Sequence, residues 1–194
     1  MADSEYVTLL KKGILPEQFP YDSSIPHNFS QKYIEEEYKK VLSFGSFLPL
    51  AKSWIRELKG WIDSRRVLEI MAGPGLLSKY LASNIITSDS GSSKFFDYSK
   101  IYATVFLYAE AVDAIKSLGS LCDILLVSWP PNTNRLTKSC SIWGTIKPII
   151  YIGSGLNCCA DREFFERFKP NKIQPIKIPK WPNHPSRLLI GRWS

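Results

Sequence analysis

From Val67 onward the chain repeats one pattern, in which a short apolar run is followed by a turn and then by a stretch with the apolar spacing of a helix. This alternation is typical of β-α-β units, whose parallel strands are connected by helices that cover the sheet. The pattern predicts five strands, at residues 67–71, 84–88, 103–108, 123–127 and 148–152. It predicts helices at residues 75–82, 111–118, 135–143 and 161–168. We therefore expect an α/β fold with a mostly parallel sheet.

The last part of the chain departs from this alternation. Residues 172–178 and 187–192 flank a proline-rich turn at residues 179–185, which predicts a closing antiparallel hairpin. This end of the chain is basic, because its last 34 residues contain eight basic and three acidic side chains, in a chain with a formal net charge of +7. One interpretation is that these basic side chains attract a phosphate-rich partner. The other is that they only keep the surface solvated, and the charge alone favours neither interpretation.

Length and composition restrict the class of protein. A chain of 194 residues fits one globular domain with a short accessory segment, since it can bury about 70% of the surface that its unfolded form exposes. The hydrophobic content of 44% excludes a disordered chain. No apolar run approaches the roughly 18 to 20 residues of a membrane helix, and the N-terminus lacks a secretory pattern. We therefore expect a cytoplasmic protein without a membrane span.

The first 66 residues do not show the strand and helix alternation. Residues 1–28 contain prolines and polar side chains without apolar periodicity, which predicts an extended arm across the surface. A helix is predicted to begin after Ser30, a good N-cap residue, and to end at Gly45. A second helix is predicted to follow, with Pro49 near its start.

Four cysteines and two histidines are present. The cysteines show no C-x-x-C spacing and no neighbouring histidine, so we expect reduced, mostly buried thiols and no metal site. A reactive or redox role for the adjacent pair Cys158 and Cys159 is the alternative. His27 and His184 lie in proline-rich loops, where each is either a candidate base or an exposed, solvated side chain.

A glycine-rich turn follows the first predicted strand. Residues 72–75 read Ala-Gly-Pro-Gly and open a predicted helix, so the backbone can approach a ligand closely there. Asp89 ends the next apolar run, where a carboxylate can accept both hydroxyl hydrogens of a ribose. A dinucleotide fingerprint would require glycine at the position of Ser78, and Glu69 would repel a pyrophosphate. The site therefore favours a cationic ligand.

The sequence of residues 67–75, an apolar strand followed by an acidic residue and a glycine-rich turn, resembles the first motif of the class I S-adenosylmethionine-dependent methyltransferases. The resemblance extends from Val67 to Trp193. It implies a Rossmann-like seven-stranded, mostly parallel sheet with an antiparallel last strand, preceded by a helical N-terminal extension. It also implies S-adenosylmethionine as the cofactor.

The resemblance assigns a contact to each cofactor-binding position. Glu69 would face the methionine amino group, and Asp89 would bind the ribose. Glu110 and Ala111 would meet the adenine, with Asp113 as an alternative for that role. The backbone that passes beside the cofactor would be that of Ala72, Gly73 and Gly75. Met71 stands where the family often has glycine, which would narrow the space at the methionine end.

After the fourth predicted strand, residues 128–132 read Ser-Trp-Pro-Pro-Asn. They resemble the motif of methyltransferases that act on planar amino groups, which implies that Ser128, Trp129 and Pro130 orient the acceptor. Direct transfer to a neutral amine depends mainly on proximity and needs no metal. The order differs from the family motif, because the aromatic residue precedes the prolines. A rigid turn with a tryptophan in the core is the alternative interpretation.

The resemblance divides the chain into residues 1–65, an arm and helical lid, and residues 66–194, a Rossmann-like methyltransferase domain. Tyr33, Phe44 and Phe47 would then be pocket residues or ordinary core residues. The predicted function is methyl transfer to a small molecule, nucleic acid or protein, with the planar amine as one candidate. The alternative is a non-catalytic binding protein that holds RNA or a protein partner with the basic C-terminal hairpin. A nicotinamide oxidoreductase is disfavoured, and oligomeric state is left open.

Overall fold

The computed structural model describes residues 3–24, 28–81, 84–156 and 158–194. Among these residues, seven strands form one sheet in the order β3-β2-β1-β4-β5-β7-β6. The strands are β1 (Val67–Ile70), β2 (Ile85–Asp89), β3 (Phe106–Tyr108), β4 (Ile124–Ser128), β5 (Ile149–Gly153), β6 (Phe168–Pro170) and β7 (Arg187–Trp193). The helices are α1 (Glu5–Lys11), α2 (Gln31–Ser43), α3 (Lys52–Ile62), α4 (Leu76–Leu81), α5 (Ala111–Leu118), α6 (Arg135–Trp143) and α7 (Arg162–Arg167).

The sheet confirms the predicted fold class. Strand β1 pairs in parallel with β2 and β4, and β4 pairs in parallel with β5. Strand β7 runs antiparallel to both β5 and β6. The chain therefore has the seven-stranded, mostly parallel sheet with an antiparallel last strand that the methyltransferase resemblance implies.

Alternate residues of the central strands point to two apolar layers, one on each face of the sheet. On one face, Ile124 and Leu126 of β4 pack with buried residues of helices α1 to α4. On the other face, Leu125 and Val127 pack with buried residues of α5, α6 and α7. Because both faces are covered, β4 and β5 are apolar over most of their length, which is why the sequence shows them as short apolar runs.

The positions of the elements after residue 66 agree closely with the sequence prediction. Helices α5 and α6 have the predicted bounds, β1 is one residue shorter than predicted, and β2, β4 and β5 each begin and end one residue later than predicted. The third strand contains three residues instead of the six predicted at 103–108. The last residue of the predicted helix 75–82, Ala82, and the candidate base His27 lie outside the described residues.

The N-terminal arm is the first correction. Residues 1–28 do not form only an extended arm, because α1 begins after Ser4, whose side chain accepts a hydrogen bond of 3.2 Å from the Val7 backbone. Tyr6, Val7 and Leu10 are buried on one face of this helix. Their spacing is helical. The prolines that follow the helix suggested irregular structure for the whole segment, and this prediction was wrong.

The second correction concerns the C-terminal hairpin. Its first strand is Phe168–Pro170, immediately after α7, and not residues 172–178. The ring of Phe168 is buried and stacks on that of Phe164, whereas the side chain of Gln174 accepts a hydrogen bond of 2.7 Å from the Ile190 backbone. The strand that pairs with β7 therefore begins at Phe168, where the sequence predicted a helix end, and the basic residues 172–180 lie in the connection between β6 and β7.

Helices α2 and α3 lie where the sequence predicts them. The Ser30 hydroxyl accepts a hydrogen bond of 3.3 Å from the Tyr33 backbone and caps α2, and Gly45 follows the helix end with a φ of 88°. Helix α3 begins three residues after Pro49. Within the part of the chain that the structure describes, no helix has the length and apolar character required to span a membrane.

Candidate functional site

Two adjoining cavities lie at the carboxyl ends of β1, β2 and β4, where parallel α/β sheets bind ligands. The small cavity, of about 20 Å³, is lined by Gly45, Ser46, Phe47, Leu48, Glu69, Met71, Ala72, Gly73, Leu77, Phe96, Ser128 and Trp129. The larger cavity, of about 640 Å³, includes Asp89, Glu110, Ala111, Pro130, Pro131 and Asn132. The residues that line both are Phe47, Met71, Phe96 and Trp129.

The structure brings together nearly all of the residues that the sequence predicts for the site. Glu69, Ala72 and Gly73 line the small cavity together with Ser128. The larger cavity contains the predicted ribose, adenine and acceptor residues. Gly75 lies beside neither cavity and packs close to Ala103 instead. Its conformation, with a φ of 78°, still allows the turn to enter α4.

Glu69 is a buried carboxylate in the centre of the sheet, with 1% of its surface exposed. One of its oxygens, Oε2, accepts a hydrogen bond from the Ser78 hydroxyl, which in turn accepts one of 2.7 Å from Thr87. The other oxygen, Oε1, is buried and has no hydrogen-bond partner among the described residues. The pKa of Glu69 is raised to about 7, because burial and, to a smaller extent, the nearby Asp89 charge raise it more than the Ser78 hydrogen bond lowers it.

A buried carboxylate oxygen without a donor is costly, so a donor from a ligand would stabilise it. An ammonium group carries three donors and a positive charge, and it would favour the ionised form of Glu69. The residues around the small cavity therefore fit the cationic amino end of the implied cofactor.

The glycine-rich turn is held in left-handed conformations. Met71 has a φ of 54° and Gly73 a φ of 57°. The Gly73 backbone donates a hydrogen bond of 2.9 Å to Oδ2 of Asp89, which ties the turn to the end of β2. A Cβ atom on Gly73 would lie 2.7 Å from the Phe96 ring, so a ligand or an aromatic ring can approach the backbone only because the residue is glycine.

Asp89 is buried at the end of β2 and already has several donors. Its Oδ2 accepts from Gly73, and its Oδ1 accepts hydrogen bonds from the Gly91 backbone at 2.8 Å and from the Tyr98 hydroxyl at 2.7 Å. The position is the one predicted for ribose recognition. The Tyr98 contact was not predicted, because residues 90–102 show neither strand nor helix periodicity.

The predicted adenine residues lie at the start of α5. Glu110 is its N-cap residue, and the side chain is half exposed and lies 3.7 Å from Arg135. Ala111 is buried and lines the larger cavity. The alternative candidate, Asp113, is exposed in the first turn of α5 and lines neither cavity. The geometry therefore favours Glu110 and Ala111 over Asp113.

Trp129 is held from three directions at the end of β4. Its backbone, with a φ of 48°, donates a hydrogen bond of 2.7 Å to the Ile152 carbonyl. Its indole Nε1 donates one of 2.9 Å to Ser186, and its ring stacks on Phe47 with centroids 5.2 Å apart. The ring packs against both apolar layers while it also lines both cavities. The Trp129 ring therefore belongs both to the apolar core and to the walls of the two cavities.

Several other sequence candidates lie elsewhere. Tyr33, Phe44 and Phe47 all pack against the first apolar layer. Phe47 also lines both cavities, whereas Tyr33 and Phe44 line neither. His184 stacks on Tyr38 away from both cavities. All four cysteines are free thiols, of which Cys158 is exposed. Over the described residues, no group of three or more His, Cys, Asp or Glu side chains is placed to hold a metal ion.

No family model and no curated protein sequence matches the chain. Solved structures with a similar fold include magnesium protoporphyrin IX methyltransferase (ChlM) from Synechocystis PCC 6803 with bound SAM, at 12% identity and a TM-score of 0.47, with all of both chains covered. A mutant of MtNAS in complex with S-adenosylmethionine has 14% identity and a TM-score of 0.46, over 84% of this chain and 70% of that one. TehB from Haemophilus influenzae has 11% identity and a TM-score of 0.44, over 84% and 68%. At these identities the likeness concerns the fold alone.

Proposed function

We propose that this protein binds S-adenosylmethionine in the two cavities and transfers its methyl group to a planar, amine-bearing acceptor. The observation that carries the proposal is the buried Oε1 of Glu69, a residue that lines the small cavity, because this oxygen has no hydrogen-bond partner in the part of the chain that the structure describes. A cationic amino group is the donor that such an atom requires. In this proposal Asp89, which accepts a hydrogen bond of 2.9 Å from the Gly73 backbone, would also accept hydrogen bonds from the ribose.

The lining of the two cavities supports the remaining contacts of this proposal. Its volume of about 640 Å³ lies within the usual range for small-molecule sites, about 300 to 1,000 Å³. Glu110 and Ala111 at the start of α5 would hold the adenine, and Ala72 and Gly73 would let the cofactor approach the backbone. When bound, S-adenosylmethionine supplies an electrophilic methyl group on a sulfonium sulfur.

The acceptor side consists of Ser128, Trp129 and Pro130 at the end of β4. The hydrogen bond to Ser186 and the stacking on Phe47 fix the orientation of the Trp129 ring, which offers a flat apolar surface to a planar ligand. Ser128 can accept a hydrogen bond from an amine. A neutral amine needs orientation more than a strong base, so these residues act by positioning.

The N-terminal region takes part in this proposal. Gly45, Ser46, Phe47 and Leu48, which connect α2 to α3, line the small cavity. This supports the division into a lid, residues 1–65, and a methyltransferase domain, residues 66–194. The proposal includes a cytoplasmic location, which the four free thiols support, since disulfides are rare in that compartment.

The alternative functions have less support. The binding-protein alternative depended on a basic hairpin at residues 172–192, and residues 172–178 do not pair in the sheet. A nicotinamide site would need a glycine where Ser78 hydrogen bonds to Glu69, and would place a pyrophosphate beside that carboxylate.

The test is calorimetric titration with S-adenosylmethionine and S-adenosylhomocysteine, with NAD as the negative control. We expect both sulfur ligands to bind and NAD not to bind. Asp89→Asn should weaken binding about 10-fold or more, since a hydrogen bond to a charged group contributes about 1.5 to 3 kcal/mol. Asp113→Asn, an exposed carboxylate on α5, is the matched control and should leave binding unchanged. Folded protein that binds neither sulfur ligand would contradict the proposal.

A further inference from the structure

The connection between β2 and β3, residues 90–105, contains no helix and no strand. Within it, Phe96 and Tyr98 are half-buried, whereas their neighbours Phe95, Asp97 and Ser99 are exposed. These two rings thus hold the middle of the connection against the site, whereas its end is held by Tyr102, which packs against the first apolar layer and whose backbone donates a hydrogen bond of 2.8 Å to the Pro74 carbonyl. We call residues 90–105 the aromatic segment.

Tyr98 occupies an acceptor position on Asp89. Its hydroxyl donates a hydrogen bond of 2.7 Å to Oδ1, in addition to the backbone donors Gly73 and Gly91. Burial raises the pKa of Tyr98 well above its ordinary value, so the hydroxyl keeps its proton and remains a donor. A carboxylate offers about four acceptor positions, and a ribose diol needs two of them. With three positions taken, the diol and Tyr98 compete for Asp89.

Phe96 blocks the other end of the site. Its ring lies against Gly73, where a Cβ atom would be only 2.7 Å away. It also contacts Phe47 edge to face at 5.5 Å, and Phe47 stacks on Trp129. These rings leave the small cavity a volume of about 20 Å³, roughly the space of one water molecule. The amino end of a methionine-sized group cannot enter unless Phe96 moves.

We propose that the aromatic segment is a built-in competitor of the cofactor, which occupies the Asp89 acceptor with Tyr98 and the Gly73 surface with Phe96. This inference rests on the proposed function. Binding then requires displacement of the segment, and the apparent affinity is reduced by the fraction of molecules in which the segment is closed. Anything that draws the segment away from the site would activate the protein.

Tyr98→Phe tests the competition because it removes one hydroxyl and keeps the ring. Tyr108→Phe, the same change on a 60% exposed side chain of β3, is the matched control. By calorimetric titration we expect Tyr98→Phe to bind S-adenosylmethionine about tenfold more tightly than the wild type, the effect of one hydrogen bond, and the control to bind as the wild type does. Phe96→Leu, which opens the small cavity, should also bind more tightly.

A second measurement needs no ligand. Amide hydrogen exchange of residues 90–105 should be faster in Tyr98→Phe than in the wild type and in Tyr108→Phe, because the hydroxyl holds the segment closed. If the exchange is unchanged, the segment is not held by Tyr98 and the inference is wrong.

The titration separates the two proposals. Equal binding by the wild type and Tyr98→Phe would overturn the competition and leave the cofactor assignment intact. Weaker binding by Tyr98→Phe would identify Tyr98 as a cofactor ligand and likewise overturn the competition. Failure of all folded variants to bind would overturn both proposals, whereas binding by the wild type together with tighter binding by Tyr98→Phe would support both.

Discussion

The hydroxyl of Ser78 donates a hydrogen bond to Oε2 of Glu69, two side chains that are both buried. Thr87 on β2 donates to the same Ser78 oxygen at 2.7 Å. These two hydrogen bonds fix one oxygen of the carboxylate, whereas Oε1 has no donor within residues 3–24, 28–81, 84–156 and 158–194. Ser78, which counted in the sequence only as a departure from a dinucleotide fingerprint, therefore positions the residue on which the proposed function depends.

The raised pKa of Glu69 predicts a pH dependence of stability. Its pKa is about 7 in the folded protein and 4.5 as the reference, so the folded state holds the proton more tightly than the unfolded state. This stabilising contribution is fully present below pH 4.5 and is lost as the pH rises through 7. From this group we expect the free energy of unfolding to fall by about 3 kcal/mol between pH 5 and pH 8.

Glu69→Gln removes the titration and keeps the shape of the side chain. Denaturant unfolding should show the variant close to the wild type at pH 5 and more stable than the wild type at pH 8. Glu57→Gln, on the exposed face of α3, is the control and should follow the wild type at both pH values. The two histidines are common to all three proteins and cancel in the differences. If the free energy of unfolding changes equally with pH in the wild type and in Glu69→Gln, the prediction is wrong.

The left-handed backbone of Met71 predicts that glycine at this position gives a more stable protein than alanine, the reverse of their order in a helix. Its φ of 54° is unfavourable for a residue with a Cβ atom and favourable for glycine. Both Met71→Gly and Met71→Ala lose the side-chain packing, so their difference reports the backbone. We expect Met71→Gly to be more stable than Met71→Ala by about 1 kcal/mol in thermal or denaturant unfolding.

The control pair lies in the middle of α3, where the backbone is helical. There we expect Glu57→Ala to be more stable than Glu57→Gly by about 1 kcal/mol. The same order at both positions would show that Met71 is not strained.

The fold could be predicted where each element carries its own periodicity. Both faces of the sheet are covered, so central strands such as β4 appear as apolar runs, and α5 has the predicted bounds. Two segments were predicted wrongly because competing signals lay close together. The prolines after α1 led to an irregular segment being predicted where a short amphipathic helix forms. Phe168 belongs to the first hairpin strand, where its ring stacks on Phe164 and its backbone pairs with Trp193, and the apolar spacing of the sequence does not indicate that pairing.

The candidate site could be predicted as far as it follows the chain in short motifs. Glu69, the glycine-rich turn and Asp89 lie at successive strand ends, and topology alone brings them to one edge of the sheet. The contacts of Tyr98 and Phe96 could not be predicted, because residues 90–102 show neither strand nor helix periodicity. The pairing of Trp129 with Ser186 joins positions 57 residues apart in the sequence.

That pairing predicts an energetic coupling between Trp129 and Ser186. The indole N–H donates to a hydroxyl that is fully buried, so removal of either partner leaves the other unsatisfied. A double-mutant cycle with Trp129→Phe and Ser186→Ala should give a coupling free energy of about 1 kcal/mol. Trp193, whose indole nitrogen has no hydrogen-bond partner among the described residues, provides the control. Trp193→Phe and Ser186→Ala should be additive within about 0.5 kcal/mol, and coupling of equal size in both cycles would contradict the assignment.

The contact between Gly73 and Phe96 predicts that alanine at position 73 is tolerated only when the aromatic segment is altered. Gly73 and Gly144 both have a positive φ, of 57° and 88°, so alanine introduces backbone strain at each. A Cβ atom on Gly144 would have no neighbour within 4 Å, whereas one on Gly73 would lie 2.7 Å from the Phe96 ring. Gly144 also has a ψ of −177°, a conformation almost restricted to glycine, so alanine there carries a larger backbone cost of its own. Gly73→Ala should therefore cost about 1 to 3 kcal/mol more in the wild type than in a Phe96→Ala background, the typical cost of overpacking.

Phe96→Ala removes the ring, so it should abolish the excess cost of Gly73→Ala and leave the cost of Gly144→Ala unchanged. Chemical unfolding of the two alanine variants in both backgrounds measures this difference. An excess that persists without Phe96 would place its origin in the backbone of the turn. Loss of the excess would show that the ring of Phe96 rests on Gly73 in solution, at the surface where the cofactor would pass.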